Sequence, residues 1–417
     1  MNLTVLAAGL LSSRSAASDA MENNGPKSSF RNVILLGVVS FLNDLSSEMI
    51  MPILPMFLQS LGASGQLIGL VGGLRDSFSS ILKVLCGYWS DKTGKRKIFV
   101  YWGYGVSTVF KLLLAFSKTW PGAAVFATLE RVGKGLRTAA RDAIIAESVT
   151  TRRGRGFGIH RGLETGGAIL GSATAFLLLW FAGFEIRTII LVAGVTGLAA
   201  LAPIRFVREP GVHRRDAKLK IGLAMLPKPL KLFILVSGIF AMGNFSYMFF
   251  VMRAQHLFTG KLSVAAPILL YVLFNIFYSA LAVPLGSISD RIGRQAVIIF
   301  GFGLFAVVSF GFAFCDSLWL FVVLFSLYGV VFAAIDGTER AFVSDLAGDH
   351  LKATALGTFH TVTGLAALPA SFAAGVLWEH VSPVATFVFG GVTALVAVVV
   401  FLVFRKSFVG FKPGCGS

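Results

Sequence analysis

Gly87-Tyr-Trp-Ser-Asp91-Lys-Thr-Gly94-Lys-Arg-Lys97 is a short charged hinge between two long apolar runs, residues 66–89 and 98–116. The pattern returns 199 positions later as Gly286-Ser-Ile-Ser-Asp290-Arg-Ile-Gly293-Arg294. Gly87, Ser90, Asp91 and Gly94 each find an identical residue there, and Lys92 and Lys95 each become Arg. A turn that recurs at about half the chain length implies a duplicated protein. The likeness extends further: Ala143-Ile-Ile-Ala-Glu147 resembles Ala341-Phe-Val-Ser-Asp345, and Gly158-Ile-His-Arg161 lines up with Gly357-Thr-Phe-His360.

The runs around these hinges are membrane-like. Of the 417 residues, 55% are hydrophobic and 14% charged, against roughly 25% charged in an ordinary soluble domain, and the mean hydropathy is +0.79. The net charge of +17 would suit a nucleic-acid binder if it were continuous. It is instead divided among alternate loops between apolar runs, so no nucleic-acid partner is expected. Cys86, Cys315 and Cys415 are too scattered for a metal site or a disulfide framework.

Residues 1–30 read as a flexible tail, with a short apolar stretch (Leu3 to Leu11) that neither spans a bilayer nor begins like a signal peptide. Twelve apolar segments follow, at 31–60, 66–89, 98–116, 121–147, 156–181, 186–206, 231–258, 263–288, 296–315, 317–345, 353–378 and 383–404. Each approaches or exceeds the length that crosses about 30 Å of hydrocarbon. Lys27, Arg31, Lys92 to Lys97, Arg152, Arg153, Arg155, the 207–230 connector, Arg291, Arg294, Lys352, Arg405, Lys406 and Lys412 fall on one side. The other side holds little beyond Lys118, Arg187 and Lys261. The positive-inside rule then places both termini, including the 405–417 tail, in the cytoplasm. The basic, Pro- and Gly-broken connector divides a bundle at 31–206 from one at 231–404, and reads as a tether or a headgroup-binding strip.

The hinge pattern G-x-x-x-D-[RK]-x-G-[RK]-[RK] resembles the signature loop of the major facilitator superfamily of secondary transporters, and the resemblance covers about residues 31–405. It implies an all-α membrane protein, twelve transmembrane helices in two pseudo-symmetric six-helix bundles that rock around a central site. It also implies that the hinge residues Gly87, Asp91, Gly94, Arg96, Gly286, Asp290, Arg291 and Gly293 form cytoplasmic gates. Arg141, Asp142 and Glu147 are read as partners of the Asp91 loop, and Glu339 and Arg340, at the repeat-equivalent positions, as the second gate pair.

Ionisable residues inside apolar segments are costly unless paired or wetted, so they mark function. The first segment holds Asn43-Asp44-Leu-Ser-Ser-Glu48, with Asp44 and Glu48 on one helical face. Two carboxylates on one face can hold and exchange a proton; they could instead pair with arginines of the second and fourth segments. The second segment holds Arg75-Asp76 and Lys83; Arg75 is the preferred partner of Asp44 or Glu48, and Lys83 reads as snorkelling. The fourth segment carries a cationic stripe, Arg131, Lys134, Arg137 and Arg141, within an arc of about 120°. The stripe faces either a cavity or matched acids. Arg131-x-x-x-Gly135 resembles the fourth-helix signature of the superfamily, which makes Arg131 a site candidate. In the fifth segment His160 and Glu164 share a face beside Arg161, a pair that could relay a proton; no metal set is complete. Pro52 and Pro55 are expected to kink the outer end of the first segment. In the second half, Asn244, Tyr247, Tyr271, Asn275 and Tyr278 are neutral polar candidates for a cavity wall.

No enzyme motif and no nucleotide or cofactor motif is present, so the chain reads as a carrier of a small solute driven by an ion gradient, most simply protons. The stripe favours an anion or an anionic chelate. Lipophilic drug efflux is the alternative, although Gly166-Gly-Ala-Ile-Leu-Gly171 departs from the Gly-Pro-x-x-Gly-Gly motif of proton-driven antiporters. The runs Asp44 to Met49, Gly133 to Arg137 and Ala140 to Ala143 also resemble a prokaryotic subgroup that includes transporters of magnetosome membranes, which adds iron or an iron chelate as a candidate cargo. A membrane sensor or assembly protein on the same fold is a further reading. A monomer in a prokaryotic cytoplasmic membrane, or in a membrane derived from it, is expected.

Overall fold

The computed structural model describes residues 26–149, 153–209, 222–223, 226–348 and 351–408. The N-terminal tail up to residue 25, most of the connector, and the end of the chain with Lys412 and Cys415 lie outside the described residues. The described chain is all helix and turn. The first half holds α1 (Pro26–Ile50), α2 (Leu54–Ser60), α3 (Gly65–Thr93), α4 (Arg96–Ala115), α5 (Trp120–Ser148), α6 (Arg153–Trp180), α7 (Ile186–Ala199) and α8 (Leu201–Ile204). The second half holds α9 (Lys228–Gly243), α10 (Met248–Gln255), α11 (Leu262–Ile292), α12 (Arg294–Phe314), α13 (Leu318–Ala347), α14 (Lys352–His380) and α15 (Pro383–Phe408).

The expected segments map onto these helices with three breaks. The turn at residues 51–53 separates α1 from α2 where Pro52 and Pro55 stand. A second break, at 244–247, separates α9 from α10 with no proline to announce it. Gly243-Asn244 supplies a helix stop there, and Ser246 N–H donates to Ser371 Oγ at 3.0 Å. The third divides α7 from α8 at Ala200. The first helix also begins at Pro26, inside the stretch read as tail.

Among the described residues, ten spans are long and apolar enough to cross a membrane. The two other long helices, α3 and α5, have 29 residues each, roughly 44 Å of helix at 1.5 Å per residue. They carry Arg75, Asp76, Lys83, Glu130, Arg131, Lys134, Arg137 and Arg141, and they pack on each other. Their polarity is internal to the bundle, which is why hydropathy alone misses them.

The duplication is written into the contacts between the halves. α3 packs along α14, and α6 along α11. α3 and α11 are repeat-equivalent, as are α6 and α14, so the two junctions are the same junction seen twice. Gly65 N–H donates to Glu379 Oε2 at 2.8 Å, Lys261 Nζ to the Trp180 carbonyl at 2.8 Å, and Tyr247 Oη to the Met51 carbonyl at 2.9 Å. These bonds close the assembly on the side away from the basic loops.

Both signature hinges close on a glycine with positive φ, although ψ differs, 0° at Gly94 and 141° at Gly293. The α3 and α11 helices end at Gly94 (φ 69°) and Gly293 (φ 98°), a region that a side chain avoids. Ser90 Oγ donates to the Gly87 carbonyl at 2.9 Å, and Ser289 Oγ to the Gly286 carbonyl at 2.7 Å. In the first half Arg96 bonds Asp91 at 2.9 Å and pairs with Glu147 of α5. In the second, Arg294 bonds Asp290 at 2.6 Å and Asp345 of α13 at 3.1 Å. Arg294 aligns with Lys95, not with Arg96, so the same charge arrangement is reached from one residue earlier.

Candidate functional site

The acids and bases of the first half fall into two groups, those engaged with each other and those facing a cavity between the halves. Glu130 of α5 is buried and is engaged from three sides. Arg75 Nη2 lies 3.4 Å away, Arg131 Nε 3.5 Å away, and Ser107 Oγ of α4 donates at 3.1 Å. Arg75 and Arg131 also both reach Met51 Sδ. Arg75 therefore pairs with Glu130 and not with Asp44 or Glu48 as expected. Glu130 sits next to Arg131 in sequence; the available signal is an acid adjoining the cationic stripe, which offsets one of its four charges.

Lower in the bundle, toward the basic loops, Arg141 bonds Glu164 at 3.1 Å, Asp142 at 2.9 Å and Ser40 Oγ at 3.1 Å. Ser40 also meets Tyr104 Oη and His160 Nε2, each at 2.9 Å. So His160 is tied to α1 and not to Glu164, and Arg141 and Asp142 do not serve the Asp91 loop: Glu147 alone of that trio reaches it, through Arg96. Arg137 is buried with its guanidinium 4.4 Å from the Tyr104 ring centre, a cation–π placement. Of the stripe, only Lys134 is exposed. It acts through space on Asp44, Glu48 and Glu164, with no direct bond to any of them.

One chain of charges crosses between the halves. Arg161 of α6 bonds Glu164 at 2.8 Å and Tyr278 Oη of α11 at 2.7 Å. Tyr278 donates to Asp336 of α13 at 2.9 Å, and Arg340 closes on Asp336 at 2.6 Å. Arg340 is thus held within α13. Its expected gate partner Glu339 points elsewhere: Ser237 Oγ of α9 donates to it at 2.8 Å. Both residues line a cavity of about 250 Å³ together with Asp76, Asn244, Phe332 and His360. Glu339 is therefore a wall residue, because the helical repeat at that depth turns it inward and not toward the loop. Arg291 is exposed at the end of α11. Lys83 does not snorkel away; it acts through space on Arg340 and Asp336 of the other half.

Within the helices and away from their ends, four carboxylates have no salt-bridge partner among the described residues: Asp44, Glu48, Asp76 and Glu339. Asp44 accepts from Asn43 Nδ2 at 3.0 Å, and Glu48 from Tyr271 Oη at 2.9 Å. Asp76 is exposed, and Asp44, Glu48 and Glu339 are half-buried. Tyr247 and Tyr271 stand beside them with ring centres 5.7 Å apart. The site therefore combines acids held by neutral donors with an aromatic wall.

Comparison with known proteins agrees with this architecture. The sequence model of the Major Facilitator Superfamily matches residues 36–266 and 233–410. An uncharacterized MFS-type transporter of Methanocaldococcus jannaschii is 50% identical over 379 residues, 90% of this chain and 95% of that protein. The multidrug resistance protein MdtG of Serratia proteamaculans is 26% identical, over 73% of this chain and 77% of its own. Among solved structures, a nucleoside transporter NupG mutant superposes with a TM-score of 0.76 at 15% identity, covering 89% of this chain and 99% of its own. The human organic anion transporter MFSD10 gives 0.65 at 17% identity, over 89% and 99%. At such identities the structural likeness concerns the fold alone.

Proposed function

Since the chain belongs to the major facilitator superfamily of transporters, we propose that it moves a small organic cation with an apolar body in exchange for protons. The observation that carries this reading is the set of four interior carboxylates without an ion pair among the described residues, Asp44 and Glu48 on α1 and Asp76 and Glu339 on the cavity wall. A carboxylate inside a bilayer is costly unless it is paired, wetted or protonated. Acids held only by Asn43, Tyr271 and Ser237 are suited to alternate between a proton and a cationic group. Phe332 and Tyr271 offer the apolar contact, and an ammonium near an aromatic face gains further attraction.

The stripe that favoured an anion is largely engaged: Arg131 with Glu130, Arg141 with Glu164 and Asp142, Arg137 over Tyr104. That leaves Lys134, which stands among acids. The same accounting weakens a chelate cargo. The distant likeness to a protein named for multidrug resistance is compatible with a cationic cargo.

In this reading α1 with α2, α7 with α8 and α9 with α10 each cross as one broken span, which gives twelve crossings, six per half. Both termini are cytoplasmic, a monomer suffices, and the bonds at Gly65, Tyr247 and Lys261 hold the outer side shut. The test is a thermal-shift panel on the purified protein with organic cations, organic anions and ferric chelates, repeated with Asp44→Asn, Glu48→Gln, Asp76→Asn and Glu339→Gln. Cation shifts that fade in these variants support the reading. Shifts by anions or ferric chelates alone, lost in Lys134→Ala, overturn it.

A further inference from the structure

Lys111 lies about one turn before the C-terminal end of α4 and is fully buried. It is a lone cation within an apolar segment, and no part of the cavity chemistry above uses it. Its ammonium donates to three oxygens, all on α1: Ser46 Oγ at 3.0 Å, Asn43 Oδ1 at 3.3 Å and the Asn43 carbonyl at 3.4 Å. Among the described residues no carboxylate pairs with it directly. Glu130, Asp44, Arg137 and Arg131 act on it only through space.

Those oxygens are themselves fixed. Ser46 gives its hydroxyl hydrogen to the Ala193 carbonyl of α7, so its lone pairs face Lys111. Asn43 gives its amide hydrogens to Asp44 Oδ1 at 3.0 Å, so its Oδ1 faces Lys111. A backbone carbonyl, an amide oxygen and a hydroxyl are the neutral oxygen donors that hold a hard monovalent cation. Here the cation is covalently attached.

We propose that Lys111 is the permanent occupant of a monocation site at the α1–α4–α7 junction, and that it positions Asp44 through Asn43. The ammonium fixes the Asn43 amide by its oxygen. The amide nitrogen then fixes the Asp44 carboxylate. The site would take an alkylammonium of matching length once the lysine side chain is removed. Lys111 is a positioning residue, since Asn43 stands between it and the carboxylate.

The experiment uses the full chain in detergent with two variants. Lys111→Met keeps the volume and removes the charge. Lys111→Ala removes the length and charge of an n-propylammonium ion. The readout is the ratio of Asp44 to Glu48 labelling by a hydrophobic carbodiimide, mapped by mass spectrometry. Because both acids lie on α1, general loosening moves them together and leaves the ratio unchanged. The proposal predicts that Lys111→Met changes the ratio by about tenfold. It predicts that saturating n-propylammonium, but not n-propanol, returns Lys111→Ala to the wild-type ratio and raises its thermal midpoint. An unchanged ratio in Lys111→Met overturns the proposal, as does equal rescue by n-propanol. Failure of both variants to accumulate as folded protein also overturns it, because Lys111 then serves the folding of the bundle and not the placement of Asp44.

Discussion

Arg75 of α3 meets Glu130 of α5 at 3.4 Å, both side chains almost fully buried. This one pair decides how the first half is read. It removes Arg75 from the reach of the α1 acids, and together with Arg131 it matches Glu130 inside the bundle. Asp44 and Glu48 are then left to the neutral donors Asn43 and Tyr271.

Glu130→Gln leaves two buried guanidiniums sharing a neutral amide. Breaking a buried pair from one side typically costs about 3–5 kcal/mol. Glu48→Gln keeps an oxygen that accepts from Tyr271 and exchanges a charged acceptor for a neutral one, a change of about 1 kcal/mol. Thermal midpoints in detergent should therefore fall steeply for Glu130→Gln and little for Glu48→Gln. Equal losses would mean that Glu48 is as firmly matched as Glu130.

Arg96 ties the end of α3, through Asp91, to α5, through Glu147. Cys86 is a buried thiol one residue before Gly87, where α3 lies against Ala139 of α5. Arg96→Ala should raise the maleimide labelling of Cys86 several-fold, while Cys315, beyond the end of α12, serves as the unaffected control. Unchanged Cys86 labelling would show that the hinge charges do not hold these two helices together.

α4 and α5 touch backbone to backbone at Gly103 and Gly133. A methyl on Gly103 would stand 2.6 Å from Arg137 Cβ, and one on Gly133 would meet the Gly103 carbonyl. Gly133→Val should cost about 1–3 kcal/mol or more from overpacking, read as loss of monodisperse protein or a lowered midpoint. Gly105→Ala, where nothing stands within 4 Å, should be neutral. A tolerated Gly133→Val would mean that the two helices do not need this approach.

The sequence carried much of the fold because its signals were redundant. The hinges at Gly87 and Gly286 recur at half the chain length, and each is flanked by apolar runs. The apolar lengths alone bounded most helices, and Pro52 marked the break after α1. The break after Gly243 was not legible, because a Gly-Asn pair inside an apolar run gives a much weaker signal than a proline. Site partners were the hardest to read. Charge spacing on one helix says which residues share a face, but not which neighbouring helix supplies the opposite charge. That is why spacing alone does not point Arg75 to Glu130, Arg141 to Glu164 or Glu339 to Ser237. Lys111 was overlooked because it stands alone, with only neutral oxygens for company.

The central claim is that protons and an organic cation compete for the four unpaired interior carboxylates. The most direct measurement is proton release from the purified protein in weakly buffered detergent when benzyltrimethylammonium is added, since this cation carries no titratable proton of its own. The account predicts saturable proton release that disappears when Asp44, Glu48, Asp76 and Glu339 are all converted to their amides. Saturable cation binding without proton release, or release that survives the four substitutions, would contradict it.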